Sequence, residues 1–345
     1  MRYRPTYMLL TLGLLLLTSC NHKELYSENY ELSQIHVDFD FSLVTEQPKA
    51  MRIFFYPIYE DGSTGIPLKY DLTAQGGNIP IPEGDYRVLA YNIDAENVLE
   101  YDEESYNGFN LTTESSQIVV TNYDNNEGKK VPRRRIFGSD LPIGDNEPAE
   151  YLLYDSPNWT CCCRLERFHV EPIYISKSGE IEVPDSRISS LTLTAEEAVK
   201  SLEFELSGIE GAKWASLIRG TISGVSGSMS VANMQPVGEL GVVTFAGDVD
   251  VERNVIHGIC YVWGYFPSDN TDARQFLDIY IWANSGNYYV SQDVTEQMRQ
   301  ADSSNSKTLL INLNSDINLM DGSEGDSGFQ PSLGEWDEQN TDVRL

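Results

Sequence analysis

Apolar and polar side chains alternate along much of this chain, and a period of two marks a strand with one face buried. Ile35, Val37, Phe39, Phe41 and Leu43 alternate with His36, Asp38, Asp40 and Ser42, which predicts a first strand over residues 35–43. Residues 51–59 are aromatic on both faces, and Pro57, which has no N–H to donate, marks the end of that strand or an edge there. Glu60-Asp61-Gly62-Ser63 then supplies a turn. Within residues 76–92, Pro82 presets φ and Gly84 closes a tight turn, after which Tyr86, Val88 and Ala90 alternate into a further strand. Residues 116–121 read as another short strand. Residues 122–157 lack periodicity and are rich in turn formers, so they read as a long functional or flexible loop.

Strand patterning returns from Trp159. Phe168, Val170 and Tyr174 mark one strand, Leu191 and Leu193 a second, and Leu202, Phe204 and Leu206 a third. Thr194-Ala195-Glu196-Glu197 has the form of a capping box and predicts one helical turn between the last two. Residues 255–266, 276–283, 288–294 and 308–313 follow as strands, separated by turns at 267–270 and 284–287, with a short helix over 295–301. Short strands at this spacing, without alternating helices, predict antiparallel sandwiches. The expected organisation is a first β-domain over 34–157, a second over 158–320 and a tail over 321–345.

The N-terminal stretch departs from this pattern. Arg2 and Arg4 precede a continuous apolar run from Met8 to Leu17, too short to span a bilayer as a permanent helix, so residues 1–19 read as an export signal. Leu17-Thr18-Ser19-Cys20 resembles a bacterial lipobox, in which Cys20 is acylated and becomes the new N-terminus; the other reading is an ordinary cleaved signal with an incidental cysteine. Residues 20–33 then form a polar tether from an outer-membrane lipid anchor to the fold. Two or three acyl chains anchor stably, whereas one binds reversibly.

Charge narrows the partners. The formal net charge is −29, and removing residues 1–19, which carry two Arg and no acid, makes it −31. Such a surface repels polyanions, so no nucleic-acid partner is expected. With 41% hydrophobic residues and 20 Tyr the chain can build real cores. Against this acidity, Lys129, Lys130, Arg133, Arg134 and Arg135 form a basic cluster in the long loop, a processing or docking site or simply a solvated, protease-sensitive segment.

Catalytic signatures are absent from the sequence. The four His are dispersed, and no P-loop, Gly-x-Ser-x-Gly or His-Glu-x-x-His pattern occurs. Acid clusters at Asp248, Asp250 and Glu252, at Asp269 and Asp272, and at Asp316, Asp321, Glu324 and Asp326 lack the spacing of a calcium loop. Cys161-Cys162-Cys163 is too tightly spaced to converge on one metal ion; alternate members share a face, and pairing with Cys260 is open in an oxidising compartment. Trp214, Trp263, Trp282 and Trp336 fit either a sugar-stacking surface or a core. The expectation is a non-enzymatic protein without a cofactor or metal.

Several segments carry a resemblance. Pro82-Glu83-Gly84-Asp85-Tyr86 leading to Tyr91-Asn92, the run from Gly208 to Ser216, Ile279-Tyr280-Ile281-Trp282-Ala283 with Asp293-Val294-Thr295, and Gly328-Phe329-Gln330-Pro331 are similar to segments of fimbrillin-like surface lipoproteins of Bacteroidales. That resemblance implies two transthyretin-like β-sandwich domains and kinship with type V pilus subunits and their minor anchors, which join by β-strand addition. Shaft subunits of that family lose their lipid and first strand to an arginine-specific protease. This chain has no arginine between Cys20 and Arg52, and Arg52 opens a predicted strand, so its first strand is expected to stay attached. An anchor or accessory role in a pilus follows; a glycan- or host-ligand-binding surface lipoprotein is the alternative.

Overall fold

A computed structural model describes residues 32–114, 131–132, 150–171, 189–264, 274–283, 285–303 and 308–319. Its strands are β1 (Leu32–Asp40), β2 (Ala50–Pro57), β3 (Leu68–Thr73), β4 (Gly77–Pro82), β5 (Gly84–Asn92), β6 (Val98–Tyr101) and β7 (Asn110–Thr113). Next come β8 (Val131–Pro132), β9 (Glu150–Asp155), β10 (Cys161–Val170), β11 (Ser189–Thr194), β12 (Glu196–Glu197) and β13 (Lys200–Glu210). The remainder is β14 (Ala215–Ser230), β15 (Gln235–Ala246), β16 (Asp248–Asp250), β17 (Val255–Val262), β18 (Phe276–Ala283), β19 (Gly286–Asp293), helix α1 (Thr295–Ser303) and β20 (Thr308–Asn318).

These strands form a 3-stranded sheet in the order β11-β1-β4, a 5-stranded sheet β12-β10-β5-β2-β3, a 4-stranded sheet β16-β17-β13-β20 and an 8-stranded sheet running β19-β18-β14-β15-β9-β8, to which β7 and β6 attach through β14. The expected all-β architecture is borne out, most pairings being antiparallel. Three are parallel: β1 with β11, β13 with β20 and β15 with β9.

Period-two alternation explains how the layers close. Ile35 and Val37 of β1, Ile79 and Ile81 of β4, and Leu191 and Leu193 of β11 face Met51, Ile53 and Phe55 of β2 and Val88 and Ala90 of β5 in one core. A second core joins Leu202, Phe204 and Leu206 of β13 to Ile218, Ile222, Val243, Ile279 and Ile281 of the 8-stranded sheet. The alternate residues of the 5-stranded sheet, among them Phe54, Tyr56, Leu89 and Tyr91, pack against Phe109, Leu111, Met229 and Val231 in a third cluster. The 5-stranded sheet is therefore buried on both faces along much of β2, which is why residues 53–56 are apolar without alternation.

Several expectations need correction. The first strand ends at Asp40 rather than Leu43, because Asp40 Oδ1 accepts the Ser42 N–H and turns the chain, leaving Leu43 54% exposed. The expected helical turn at 194–197 is instead β12, paired to Cys161 and Cys162; the Ala195 and Ala198 N–H groups that would enter a helix donate to Asp40 O and Thr160 O. The loop expected over 122–157 contains β8 and β9, and β9 lies beside β15. Strand pairing does not divide at residue 158: β6 and β7 join the later 8-stranded sheet, while β10, β11 and β12 return to the earlier sheets. The turn at 284–287 does connect a hairpin, with Ala283 opposite Gly286, and α1 covers the expected helix. The expected strand at 116–121, Tyr174 and the turn at 267–270 lie outside the described residues.

Candidate functional site

The feature most relevant to assembly is the slot held by β1. It is the middle strand of its sheet, antiparallel to β4 through pairs from Leu32↔Pro82 to Val37↔Gly77 and parallel to β11 through pairs from Ile35↔Ser189 to Asp40↔Thr194. Ile35 and Val37 are fully buried. Each contributes roughly 1.5–3 kcal/mol through that burial. Without β1, two strands would lose their ladder partner at once and an apolar groove lined by Ile79, Ile81, Leu191 and Leu193 would be uncovered.

Local chemistry holds the slot shut. Gly76 has φ +75°, and a Cβ there would sit 1.9 Å from the Val37 carbonyl oxygen, so glycine is required for the β3–β4 turn to lie against β1. At the corner between β4 and β5 the chain crosses from the 3-stranded to the 5-stranded sheet. Gly84, with φ +143°, makes that crossing, and the Tyr86 hydroxyl donates to Pro82 O at 2.9 Å. The expected strand, turn, strand is present, but its two strands belong to different sheets. Burial pushes the Tyr86 phenol up to about 12. Ser33 Oγ donates to Glu171 O at 2.7 Å where β1 begins.

On the outer face, His36 Nδ1 lies 2.6 Å from Asn78 Oδ1 on β4, and its Nε2 lies 3.2 Å from Asp38 Oδ1. A protonated ring donates to both. The Asn78 hydrogen bond raises the His36 pKa, slight burial opposes it, and the Asp38 charge adds to the rise. Beyond β1, the Thr45 N–H and hydroxyl both donate to Glu197 Oε1, at 2.8 and 2.5 Å. A cavity of about 370 Å³ opens beside this end, lined by the stacked Phe39 and Phe41 with Asp40, Ser42 and Val44.

Arg52 is half-buried on β2. Its guanidinium makes two hydrogen bonds to Asp71, of 2.6 and 2.7 Å, and one of 2.7 Å to Glu100 on β6. Glu100 also accepts from Lys69 Nζ and from the Tyr91 hydroxyl, tying the β6–β7 hairpin to the 5-stranded sheet. Burial alone would raise the Glu100 carboxyl; hydrogen bonds from Lys69, Tyr91 and Arg52 outweigh it and hold the group below its ordinary value.

The sequence-derived site residues fare unevenly. Cys20, Lys129, Lys130, Arg133, Arg134 and Arg135 lie outside the described residues. Val131 and Pro132, within that basic cluster, pair with Tyr151 and Glu150. Cys161, Cys162, Cys163 and Cys260 are buried free thiols. Alternation places Cys161 and Cys163 in one core and Cys162 in another, as expected, while Cys260 belongs to a third, so no disulfide links them. Burial, followed by the charges of Asp94 and Glu197, pushes the Cys161 thiol up to about 12. Asp248 accepts from the Val249 N–H within β16, and Asp250 accepts from the Glu252 and Arg253 N–H groups in the β16–β17 turn. Among the described residues, no three His, Cys, Asp or Glu side chains are placed to hold a metal ion. Trp263 is buried, Trp282 half-buried and Trp214 exposed, while Trp336 lies outside the described residues. Among the described residues no helix is long and apolar enough to cross a membrane.

This arrangement defines a class: an all-β protein of interleaved sandwiches whose first strand fills the centre of a sheet. Residues 19–245 match a domain family of unknown function, DUF5119, and the chain belongs to that family. It is 35% identical over 104 residues to a Bacteroides ovatus protein provisionally named fimbrium anchoring subunit Fim4B, an alignment spanning 30% of this chain and 30% of that protein. Among solved structures, a provisionally described adhesin from Bacteroides ovatus superposes with a TM-score of 0.56 at 18% identity, over 87% of this chain and 96% of that one. The fimbrial anchor protein Mfa2 from Porphyromonas gingivalis also matches, with a TM-score of 0.43 and 11% identity over 82% and 91% of the two chains. The expected kinship with fimbrillin-like surface proteins is borne out.

Proposed function

We propose that this chain is a non-enzymatic, lipid-anchored surface subunit that roots or terminates a fimbria joined by β-strand addition. The observation that carries the proposal is the position of β1, covalently continuous with the rest of the chain and filling the slot between β4 and β11. A subunit whose slot is filled by its own strand has no need of a donor strand there, so it ends a filament rather than propagating it. Arg52, the first arginine after Cys20, sits in β2 between β3 and β5, with its guanidinium on Asp71 and Glu100, so its backbone is taken up by the sheet and closed to a protease that needs an accessible segment. The partial likeness to Fim4B supports the anchoring role, and Cys20 would supply the attachment to the outer membrane.

The deciding experiment is N-terminal sequencing and intact mass of the protein from its native membrane, together with palmitate labelling of wild type and Cys20→Ala. A blocked, acylated Cys20 and loss of label and membrane association in the variant are expected, with filaments co-isolating with the wild type. A free N-terminus beyond residue 45, or a labelled and membrane-bound Cys20→Ala, would overturn the reading.

A further inference from the structure

The start of β1, the sheet-crossing corner and one hairpin tip meet at a single pole of the first sandwich, the one formed by the 3-stranded and 5-stranded sheets. Leu32, where β1 begins, is paired with Pro82 at the end of β4. Pro57 pairs with Tyr86 just past the corner, and the Ile58 N–H donates to Asp85 O at 2.8 Å, placing the β2–β3 hairpin tip beside that corner. This tip carries Tyr59, 57% exposed, and Ile66, 70% exposed.

The tip is built to hold those side chains outward. Tyr59 N–H donates to Ser63 O, Gly62 N–H to Tyr59 O and Gly65 N–H to Pro57 O, each at 2.9 Å. The Tyr59 ring lies over Gly65, where a Cβ would come within 2.9 Å of Cζ. Asp61 is occupied in capping Ser63, and Asp85 is ion-paired to Arg167 at 2.6 Å and hydrogen-bonded to His169 at 3.0 Å. Among the described residues, the charges that remain at the pole are the exposed Glu60 and Glu83, with Glu171 beside the start of β1. The opposite end of the sandwich is engaged elsewhere: Glu46 accepts from the Tyr261 hydroxyl of β17, and Asp40 O accepts from Ala195.

We infer that Tyr59 and Ile66 form a membrane-contact tip, resting in the interfacial layer of the bilayer that carries the acyl chains of Cys20. The inference rests on the lipid-anchor reading above and adds an orientation to it. Twelve residue steps separate Cys20 from Leu32, a reach of at most about 40 Å. The far end of β1 is a further ~30 Å away, at about 3.3 Å per strand residue. An amphipathic aromatic beside a branched aliphatic suits the headgroup boundary. Tethering raises the effective concentration of the tip at the membrane to the order of millimolar, so weak intrinsic affinity suffices. The acidic rim of Glu60 and Glu83 sets a preference for zwitterionic over anionic lipid.

The test uses the full acylated protein in phosphatidylcholine–phosphatidylethanolamine vesicles with and without nitroxide lipids. A single environment-sensitive fluorophore is placed at Ile66→Cys or, as a control on the second sandwich, at Val251→Cys. The four native thiols of the fold are buried, so labelling is selective. The Ile66 probe is expected to lose about half its emission or more to the nitroxide lipids, and the Val251 probe to be unaffected. Vesicle flotation is read on the same samples. Protein that floats while both probes stay in water, or while both are quenched alike, overturns the contact tip and leaves the anchor standing. Protein that does not float overturns both.

Discussion

If β1 holds its sheet together, truncating its buried side chains must loosen β4 and β11 as well as β1 itself. Ile35→Ala removes three carbon groups from a site with no solvent exposure, flanked by Ile79 on one side and Ser189 on the other. At about 0.8 kcal/mol per group the transfer cost is ~2.4 kcal/mol. The cavity left behind adds to it and brings the total to roughly 3–4 kcal/mol, within the 2–5 kcal/mol span of such changes. Val37→Ala removes two groups and should cost roughly 2–3 kcal/mol on the same reasoning. Gln34→Ala, on the exposed face of the strand, should change stability by no more than about 0.5 kcal/mol. Because two sandwiches need not unfold together, the suitable assay is hydrogen exchange by mass spectrometry, resolved to peptides covering β1, β4 and β11. With tenfold per ~1.4 kcal/mol, Ile35→Ala should accelerate exchange in all three strands by about 100-fold or more wherever opening is by unfolding of the sheet. Acceleration confined to β1, or exchange in β4 and β11 indistinguishable from wild type, would refute the idea that β1 is structurally required in its slot.

Three further outcomes are expected. Gly76→Ala should lower the melting temperature of the first sandwich, at a cost of roughly 2 kcal/mol or more, because φ +75° and the Val37 carbonyl both oppose a Cβ; an unchanged transition would show that the turn is not pressed against β1. Glu100→Gln should destabilise by roughly 1–2 kcal/mol, since it removes the charge of a carboxylate that the partly buried Arg52, which keeps Asp71, and the exposed Lys69 share, and the wild-type contribution should be present above the ordinary carboxylate range and fade as pH falls through the depressed Glu100 value. His36, whose pKa is raised, should stabilise the β1–β4 ladder fully below about 6.5. That support disappears as pH rises through the shifted value, and His36→Gln should remove the pH dependence of exchange in β4.

The sequence made the strands with clean alternation visible, and the reasons for the failures are physical. β13, with Leu202, Phe204 and Leu206 inward and Glu203 and Glu205 outward, could be read directly. The long central strand β14 could not, because much of its inner surface is made by glycine and serine. A Cβ at Gly220 would meet the Phe245 ring at 2.2 Å, and one at Gly227 would meet the Tyr154 ring at 2.1 Å. The strand's own core side chains, Ile218, Ile222, Val225 and Met229, are separated by glycine and serine and by two register shifts against β15, so its pattern carries no clean period. The buried Ser223, Ser226 and Thr221 blur it further. The signal that remained was the pairing of such a Gly/Ser run with distant aromatics, which one sequence does not reveal. The slot of β1 was legible as a strand but not as a slot, since its partners β4 and β11 lie about 40 and 150 residues downstream by register.

The same interleaving shows why similarity and folding end at different places. The family match stops at residue 245, inside β15, yet β13 within that range pairs with β17 and β20 outside it, and β14 pairs with β18. Leu202, Phe204 and Leu206 share their core with Ile256, Cys260 and Leu313, so strands contributed after residue 245 cover side chains contributed before it. A similar dependence runs the other way. The first sandwich closes only when β10, β11 and β12 return to it from beyond the residue 158 boundary, and β11 is one of the two strands that grip β1. The slot is thus maintained by a segment that leaves the first sandwich, passes β6 and β7 to the 8-stranded sheet and comes back. Release of β1 is coupled by this path to the contact between the sandwiches, where Phe54 and Tyr91 meet Phe109 and where Arg52, Lys69 and Tyr91 share Glu100.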